Sequence, residues 1–222
     1  MKLSAETIEL LKNYATINPS ILIREGNILS TCSPQKSIFT RATITESFPQ
    51  QIAIYELNKF LGVLSLFDDP ELTFSDKTIS IQSEKRKMHY TCADESMIIA
   101  PPANELKFPA ANVEFELNQI DLQKVVRASG VLQLPDIAVI GKDGKISISA
   151  VDSKTPTANE YTIEVADTDL NFTAIFKADN IIKLISSDYN VKISNQAISK
   201  FTLKSGTIVY YVATEKNSKF GE

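Results

Sequence analysis

Apolar residues recur at helical spacing in four stretches of the chain and alternate with polar residues through much of the remainder. Over residues 7–15, Ile8, Leu11 and Ala15 fall on one side behind Ser4, whose hydroxyl suits a helix start, and the pattern predicts a first helix. Leu57, Phe60, Leu61 and Leu64 make one stripe within 56–67 and predict a second, stopped by Asp68-Asp69-Pro70. Leu122, Val125, Val126 and Ser129 predict a third over 118–129, and 178–186 reads as a short fourth. Between the helices the period drops to two. Residues 20–31 read as two β-segments around a turn at Glu25-Gly26, followed by strands over 38–44, 52–55, 72–74, 78–82 and 87–92. Beyond the midpoint, strands are expected at 113–117, 137–140, 145–150, 161–165, 172–176, 191–194, 200–203 and 207–213, with a hairpin signal at Lys142-Asp143-Gly144 and a turn at Ser205-Gly206.

Residues 93–113 break both periods. Pro101-Pro102 and Phe108-Pro109 remove backbone donors and bias the preceding residues towards extended conformations, so neither a helix nor a central strand passes through. Met97, Ile98, Ile99, Leu106 and Phe108 make the stretch too apolar for a free linker, and it reads as an extended connector pinned to a surface. On either side the order is the same: helix, hairpin, strand, helix, then a run of antiparallel strands. That repeat predicts an α+β chain of two similar domains, 1–110 with the connector at about 93–113, and 111–222.

Composition narrows the function. At 222 residues and 43% hydrophobic, each half is long enough to bury its own core, and the net charge of −4 argues against a chain coated in basic residues. No apolar run approaches the roughly 20 residues needed to cross a bilayer. Glu6 and Glu9 interrupt the opening stretch where a signal peptide needs an apolar core, so a soluble intracellular protein is expected. Cys32 and Cys92 stand apart, without the spacing of a zinc site or a disulfide framework. His89, the single histidine, follows Lys85-Arg86-Lys87 with no nucleophile identifiable beside it. Asp68-Asp69 and Asp167-Thr168-Asp169 occupy turns, where aspartate bonds locally. The run 141–145 lacks the spacing and the Ser/Thr of a phosphate loop and bridges two strands, and Asn171-Phe172-Thr173 matches a glycosylation sequon that an intracellular chain leaves unused. No enzyme, cofactor or metal is expected.

The polar sides of the helices are more informative. Lys12, Lys59, Lys124 with Arg127, and Lys183 give every helix a cation, and Asn58, Gln123, Asn180 and Ser186 extend those sides without opposing charge. Solvated helix faces account for these residues as well as a shared phosphate-facing track does.

Three blocks carry a resemblance: the opening Met1-Lys2-Leu3-Ser4 with residues 10–18, the stretch 53–66, and Asp121-Leu122-Gln123-Lys124-Val125-Val126-Arg127. In these the chain resembles the sliding clamps, or DNA polymerase processivity factors, of large tailed myovirus-type bacteriophages, which are related to the trimeric cellular clamps. The resemblance implies a homotrimeric ring of two similar clamp domains per chain, with helices lining the hole on one face of antiparallel sheets. It implies sequence-independent encirclement of duplex DNA, an ATP-dependent clamp loader, and a replicative polymerase tethered by its C-terminal peptide in the cytoplasm of an infected bacterium. On this chain the DNA-facing residues would be Lys2, Lys12, Lys59, Lys124, Arg127 and Lys183. The partner-peptide pocket, beneath the connector and between the domains, would use Phe48, Pro49, Ile99, Pro101, Phe108, Pro109, Tyr210, Tyr211 and Ala213. Two other classes stay open at this point: a metal-dependent nuclease, which would need clustered carboxylates, and a non-enzymatic viral structural or scaffold protein built on the same repeat.

Overall fold

A computed structural model describes residues 1–155 and 157–221 and divides the chain into two compact units, Met1–Asn104 and Glu105–Glu222. The first begins with helix α1 (Ala5–Ile17), then strands β1 (Ile21–Ile23), β2 (Gly26–Cys32), β3 (Ile38–Phe48) and β4 (Ile52–Ile54), helix α2 (Leu57–Leu64), and strands β5 (Glu71–Ser75), β6 (Thr78–Ser83) and β7 (Arg86–Thr91). The second holds β8 (Val113–Leu117), α3 (Gln119–Leu132), β9 (Asp136–Lys142), β10 (Lys145–Val151), β11 (Tyr161–Asp167), β12 (Phe172–Lys177), α4 (Ala178–Ile181), β13 (Tyr189–Ser194), β14 (Ile198–Leu203), β15 (Ile208–Ala213) and β16 (Lys219–Phe220).

Each unit therefore contains the order helix, four strands, helix, three strands, to which the second adds β8 in front and β16 behind, and the pairing repeats with the order. In the second unit β11, β10, β9 and β12 lie side by side, all antiparallel. In the first, β3 pairs with β2 and β1 with β4, the same neighbours without the ladder that would join β1 to β2. Likewise β5-β6-β7 matches β13-β14-β15. Where β8 flanks β13, Met1 flanks β5: its amino group donates to Leu72 O at 2.7 Å and its carbonyl accepts from Leu72 N at 2.7 Å.

The helices form because their starts are capped and one face is buried. Ser4 accepts from Thr7 N at 3.2 Å and Asn118 accepts from Asp121 N at 2.9 Å, satisfying donors that a helix start leaves free. On α2 the expected stripe Leu57, Phe60, Leu61 and Leu64 is buried, worth roughly 1.5–3 kcal/mol per side chain. Helix α1 presses a neighbouring stripe inward: Thr7, Leu10, Leu11, Tyr14 and Ile17 are buried, while Ile8 and Ala15 are only half-buried. In the second unit α3 lies over β9, β10 and β11, and Tyr189, Phe201, Phe176 and Tyr210 meet edge-on at centroid distances of 5.9–6.3 Å.

Two expectations need correction. Residues 20–31 make the two expected strands around a bend at Glu25, and these lie close together, but no hairpin ladder joins them: β1 pairs with β4 and β2 with β3. Helix α4 has four residues instead of nine; beyond Ile181 the chain continues as turns through Leu184. At Lys142-Asp143-Gly144 the hairpin is present, with Asp143 at φ 52° and Gly144 at φ 82° making a two-residue turn between β9 and β10. Among the described residues no helix is long and apolar enough to cross a membrane.

Candidate functional site

The polar sides of the helices carry more opposed charge than their spacing suggests. Lys12 donates to Glu9 Oε1 at 2.7 Å and Lys59 to Glu56 Oε2 at 2.7 Å, while Lys124 Nζ lies 3.8 Å from Asp121 Oδ1. In each case the carboxylate sits three residues earlier, one turn towards the helix start, and Glu56 and Asp121, at the starts of α2 and α3, also complement the helix dipole. The expectation of polar faces without opposing charge is thus corrected at Lys59 and Lys124. Lys2 is paired with Asp69. Arg127 is exposed on α3, one turn beyond Lys124, and no carboxylate among the described residues lies within ion-pair distance of it. Lys183 is half-buried just past α4.

The connector is held by its carbonyl groups. In the first unit Asn18 Nδ2 donates to Ile99 O at 3.1 Å, Arg24 donates to Pro101 O at 2.8 Å, and Arg41 donates to Ala103 O at 3.3 Å. Ile98, Leu22 and Ala53 form one buried apolar cluster, against which Ala93 and Ala100 pack. Ile99 is left 47% exposed while Pro101 is buried. Phe48 is buried against Phe74, with ring centroids 5.9 Å apart, and the exposed Pro49 is not among the residues that hold the connector. The polar clips Asn18, Arg24 and Arg41 are functional candidates that sequence reasoning missed, since each reaches a carbonyl more than 60 residues away.

In the second unit the connector's other end crosses β15. Tyr211 donates to Leu106 O at 3.4 Å, and its ring lies 6.3 Å from that of Phe108 on one side, with Lys200 Nζ 5.7 Å from its centroid. Tyr210, the next residue back, points to the opposite side of the strand and stacks edge-on with Tyr189 in the core. Its surface is wholly buried, and burial pushes its phenol well above the ordinary range. Phe108, Pro109 and Ala213 are half-buried. The structure therefore brings Phe108 and Leu106 of the connector to Tyr211 and assigns Tyr210 to packing.

Known proteins match both stretches in turn. The family described as DNA polymerase processivity factor matches residues 4–100, and that described as gp45 sliding clamp, C terminal, matches residues 114–216. The sliding clamp of Escherichia phage RB69 is 33% identical over 228 residues, covering 98% of each chain. That of Vibrio phage KVP40 is 34% identical over 223 residues, covering 97% of this chain and 99% of the other. The chain belongs to the phage sliding clamps. Among solved structures, the proliferating cellular nuclear antigen of Entamoeba histolytica has the same fold, with a TM-score of 0.68 at 13% identity over 94% of each chain.

As a phage DNA sliding clamp the protein is a processivity factor of DNA replication, and the two matched stretches leave 101–113, the second half of the connector, between them. The remaining chemical candidates of the clamp have structural occupations. Asp68 receives Arg86 at 3.3 Å, and Asp167, which ends β11 instead of lying in the expected turn, receives Lys145 at 2.6 Å, so both carboxylates neutralise neighbouring cations. Among the described residues no group of three or more His, Cys, Asp or Glu is placed to hold a metal. His89 is exposed on β7, in register with Ser80. Burial raises the thiols of Cys32 and Cys92, which disfavours the nucleophilic thiolate.

Proposed function

We propose that three copies of this clamp close into a ring around duplex DNA. The ring holds the replicative polymerase by its C-terminal peptide, after an ATP-driven loader has opened and placed it, in the cytoplasm of the infected bacterium. The observation that carries the reading is the repeat of one strand-and-helix plan twice in a chain that matches phage sliding clamps along nearly its whole length. A six-part ring then needs three chains.

Two sheet edges support ring closure. β7 ends the sheet β5-β6-β7 and, with the turn before it, carries Lys85, Arg86, Lys87 and His89, all exposed. β11 ends its own sheet and brings Glu160, Glu164 and Asp167. An open edge offers unpaired backbone groups, and a basic edge facing an acidic one on the next copy makes a head-to-tail contact that repeats until the ring closes. Lys2, Lys12, Lys59, Lys124, Arg127 and Lys183 would face phosphates, which requires no base contact and so no sequence preference. Ile99, Phe108, Pro109 and Tyr211 would receive the polymerase peptide, with Phe48, Pro49, Pro101, Tyr210 and Ala213 shaping the surrounding backbone. Binding by topology raises the effective concentration of polymerase at the primer end without chemistry in the clamp itself.

Multi-angle light scattering coupled to a DNA-retention assay tests this. A trimer mass is expected, with loaded protein retained on closed circular DNA and released when the circle is cut. A monomer at all concentrations, or retention that linearisation leaves unchanged, overturns the ring.

A further inference from the structure

The two units carry the same strand edge, covered in one and open in the other. In the second unit the chain leaves β15 and returns along the outer edge of β12. Glu215 N donates to Ile175 O at 2.7 Å, and Ile175 N donates to Ser218 Oγ at 2.9 Å. Lys219 and Phe220 then pair with Thr173 and Phe172 as β16, and Gly221 N donates to Asn171 O at 2.8 Å. Phe220 stacks on Phe172 with centroids 6.1 Å apart and rings 6° from parallel.

In the first unit the chain leaves β7 and makes only the first of these contacts, Ala93 N donating to Ala53 O at 2.9 Å. It then turns away through the 3-10 turn Glu95–Met97, capped by Asp94, which accepts from Ser96 N at 3.0 Å. Among the described residues β4 has β1 on one side and no strand on the other. Because Ala53 turns its carbonyl outward, the alternation of a strand turns the main-chain groups of Gln51 outward too, at the place where Thr173 meets Lys219 in the second unit.

This open edge borders a groove of about 420 Å³ whose apolar floor includes Leu22, Ile52 and Ala53. Three carboxylates, Asp76, Asp94 and Glu95, line it against the single ammonium of Lys77. We propose that the groove binds an extended, lysine-bearing peptide segment of a partner protein, added to β4 as an antiparallel strand in the way β16 is added to β12. Main-chain bonds at Gln51 and at the amide of Ala53, whose carbonyl is taken by Ala93, would supply the docking, the carboxylates would select the lysines, and the floor would take one apolar or aromatic side chain. The surface lies within the first unit, distinct from the Phe108–Tyr211 contact in the second, and does not depend on ring formation.

The test is a titration of the ¹⁵N-labelled full chain with a synthetic peptide, Glu-Lys-Asn-Ser-Lys-Phe-Gly, which copies residues 215–221 and serves as a model strand. Amide shifts are expected at Gln51, Ile52, Ala53, Lys77 and Cys92–Glu95. Affinity is expected to fall about tenfold when both peptide lysines become glutamate, the scale set by losing two exposed ion pairs. The double variant Asp76→Asn with Glu95→Gln should weaken the original peptide by a similar factor. Absence of shifts at millimolar peptide overturns the proposal, as does equal binding of the glutamate peptide. Shifts confined to Thr173 and Ile175 also overturn it, because the peptide would then merely compete with β16.

Discussion

Lys59 donates to Glu56 at 2.7 Å across one helical turn, and the pairs Lys12–Glu9 and Lys124–Asp121 repeat that spacing on two other helices. Exposed pairs of this kind are worth only about 0.2–1 kcal/mol, so a phosphate facing one of them would displace the carboxylate at a small cost to DNA affinity. Across the four helices and their caps, Lys12, Lys59, Lys124, Arg127 and Lys177 stand against Glu6, Glu9, Glu56, Asp121 and Asp179, five charges of each sign. In the proposed ring, a lining of this kind would hold DNA by enclosure more than by attraction.

The charge balance makes a prediction with a sign. Glu9→Gln with Glu56→Gln should strengthen DNA retention at raised salt and steepen its logarithmic salt dependence by up to roughly two units, since each freed lysine adds about one released counterion. Arg127→Ala should flatten the same slope by about one unit. The measurement is retention on circular DNA across a salt series; an unchanged slope in both variants would show that these helices do not face phosphates.

How much of this was legible in the chain depended on whether the signal was local. The α2 stripe and the Lys142-Asp143-Gly144 hairpin are decided within a few residues by period and turn chemistry, and both are present as read. Residues 20–31 hold the two strands and the bend that their pattern predicts but not a hairpin ladder, because the partners that decide the pairing, β4 and β3, lie further along the chain. Tyr210 and Tyr211 are the same residue type one position apart, and only the opposing surfaces, Tyr189 for one and Phe108 for the other, separate core from connector contact. The acids Glu56 and Asp121 are readable at a spacing of three, as Glu9 is, and a reading of the second and third helices by their cations alone passes over them.

That separation of the tyrosines sets opposite expectations for two substitutions. Phe108→Ala removes a half-buried ring from the connector and should cost about 1 kcal/mol of stability, while weakening binding of the polymerase C-terminal peptide by a larger factor. Tyr210→Ala empties a fully buried site and should cost about 3–5 kcal/mol. Denaturant unfolding and peptide titration on the same samples check both; full peptide affinity in the Phe108 variant would make the connector ring structural only.

Glu46 links β3 to the start of α1, accepting from Ser4 N, from Thr7 Oγ1 at 2.7 Å and from Thr45 Oγ1 at 2.9 Å. Its partial burial alone would raise the pKa, but these hydrogen bonds to the charged form outweigh it and hold the group at about 2, against an ordinary value of 4.5. A carboxylate depressed in the folded state stabilises fully above its unfolded pKa, and that contribution drains away as pH falls towards about 2. Glu46→Gln should therefore cost about 1 kcal/mol near neutral pH, the scale of a lost helix cap. Between pH 4.5 and 2 the gap to the unaltered chain should narrow, and chemical denaturation at several pH values reads it. A gap independent of pH would mean the glutamate acts through shape and not charge.

Gly141 is required by a close approach. It pairs with Ile146 on one side and Phe172 on the other, and a Cβ built there would stand 2.3 Å from the Phe172 ring and 2.5 Å from Leu170 O. The backbone oxygen cannot rotate aside, so Gly141→Ala must push β12 away from β9 or displace the ring, at a cost of roughly 1–3 kcal/mol as in other overpacked sites. The Phe172 ring is also the surface on which Phe220 stacks, so the same substitution should loosen β16 along with the local ladder. Hydrogen exchange is expected to show faster exchange at the amides of Thr173, Lys219 and Gly221, with those of β13 and β14 unaffected. Uniform loss of protection across the second unit would instead place the strain in the whole sheet, and unchanged protection at β16 would separate the tail from the Gly141 contact.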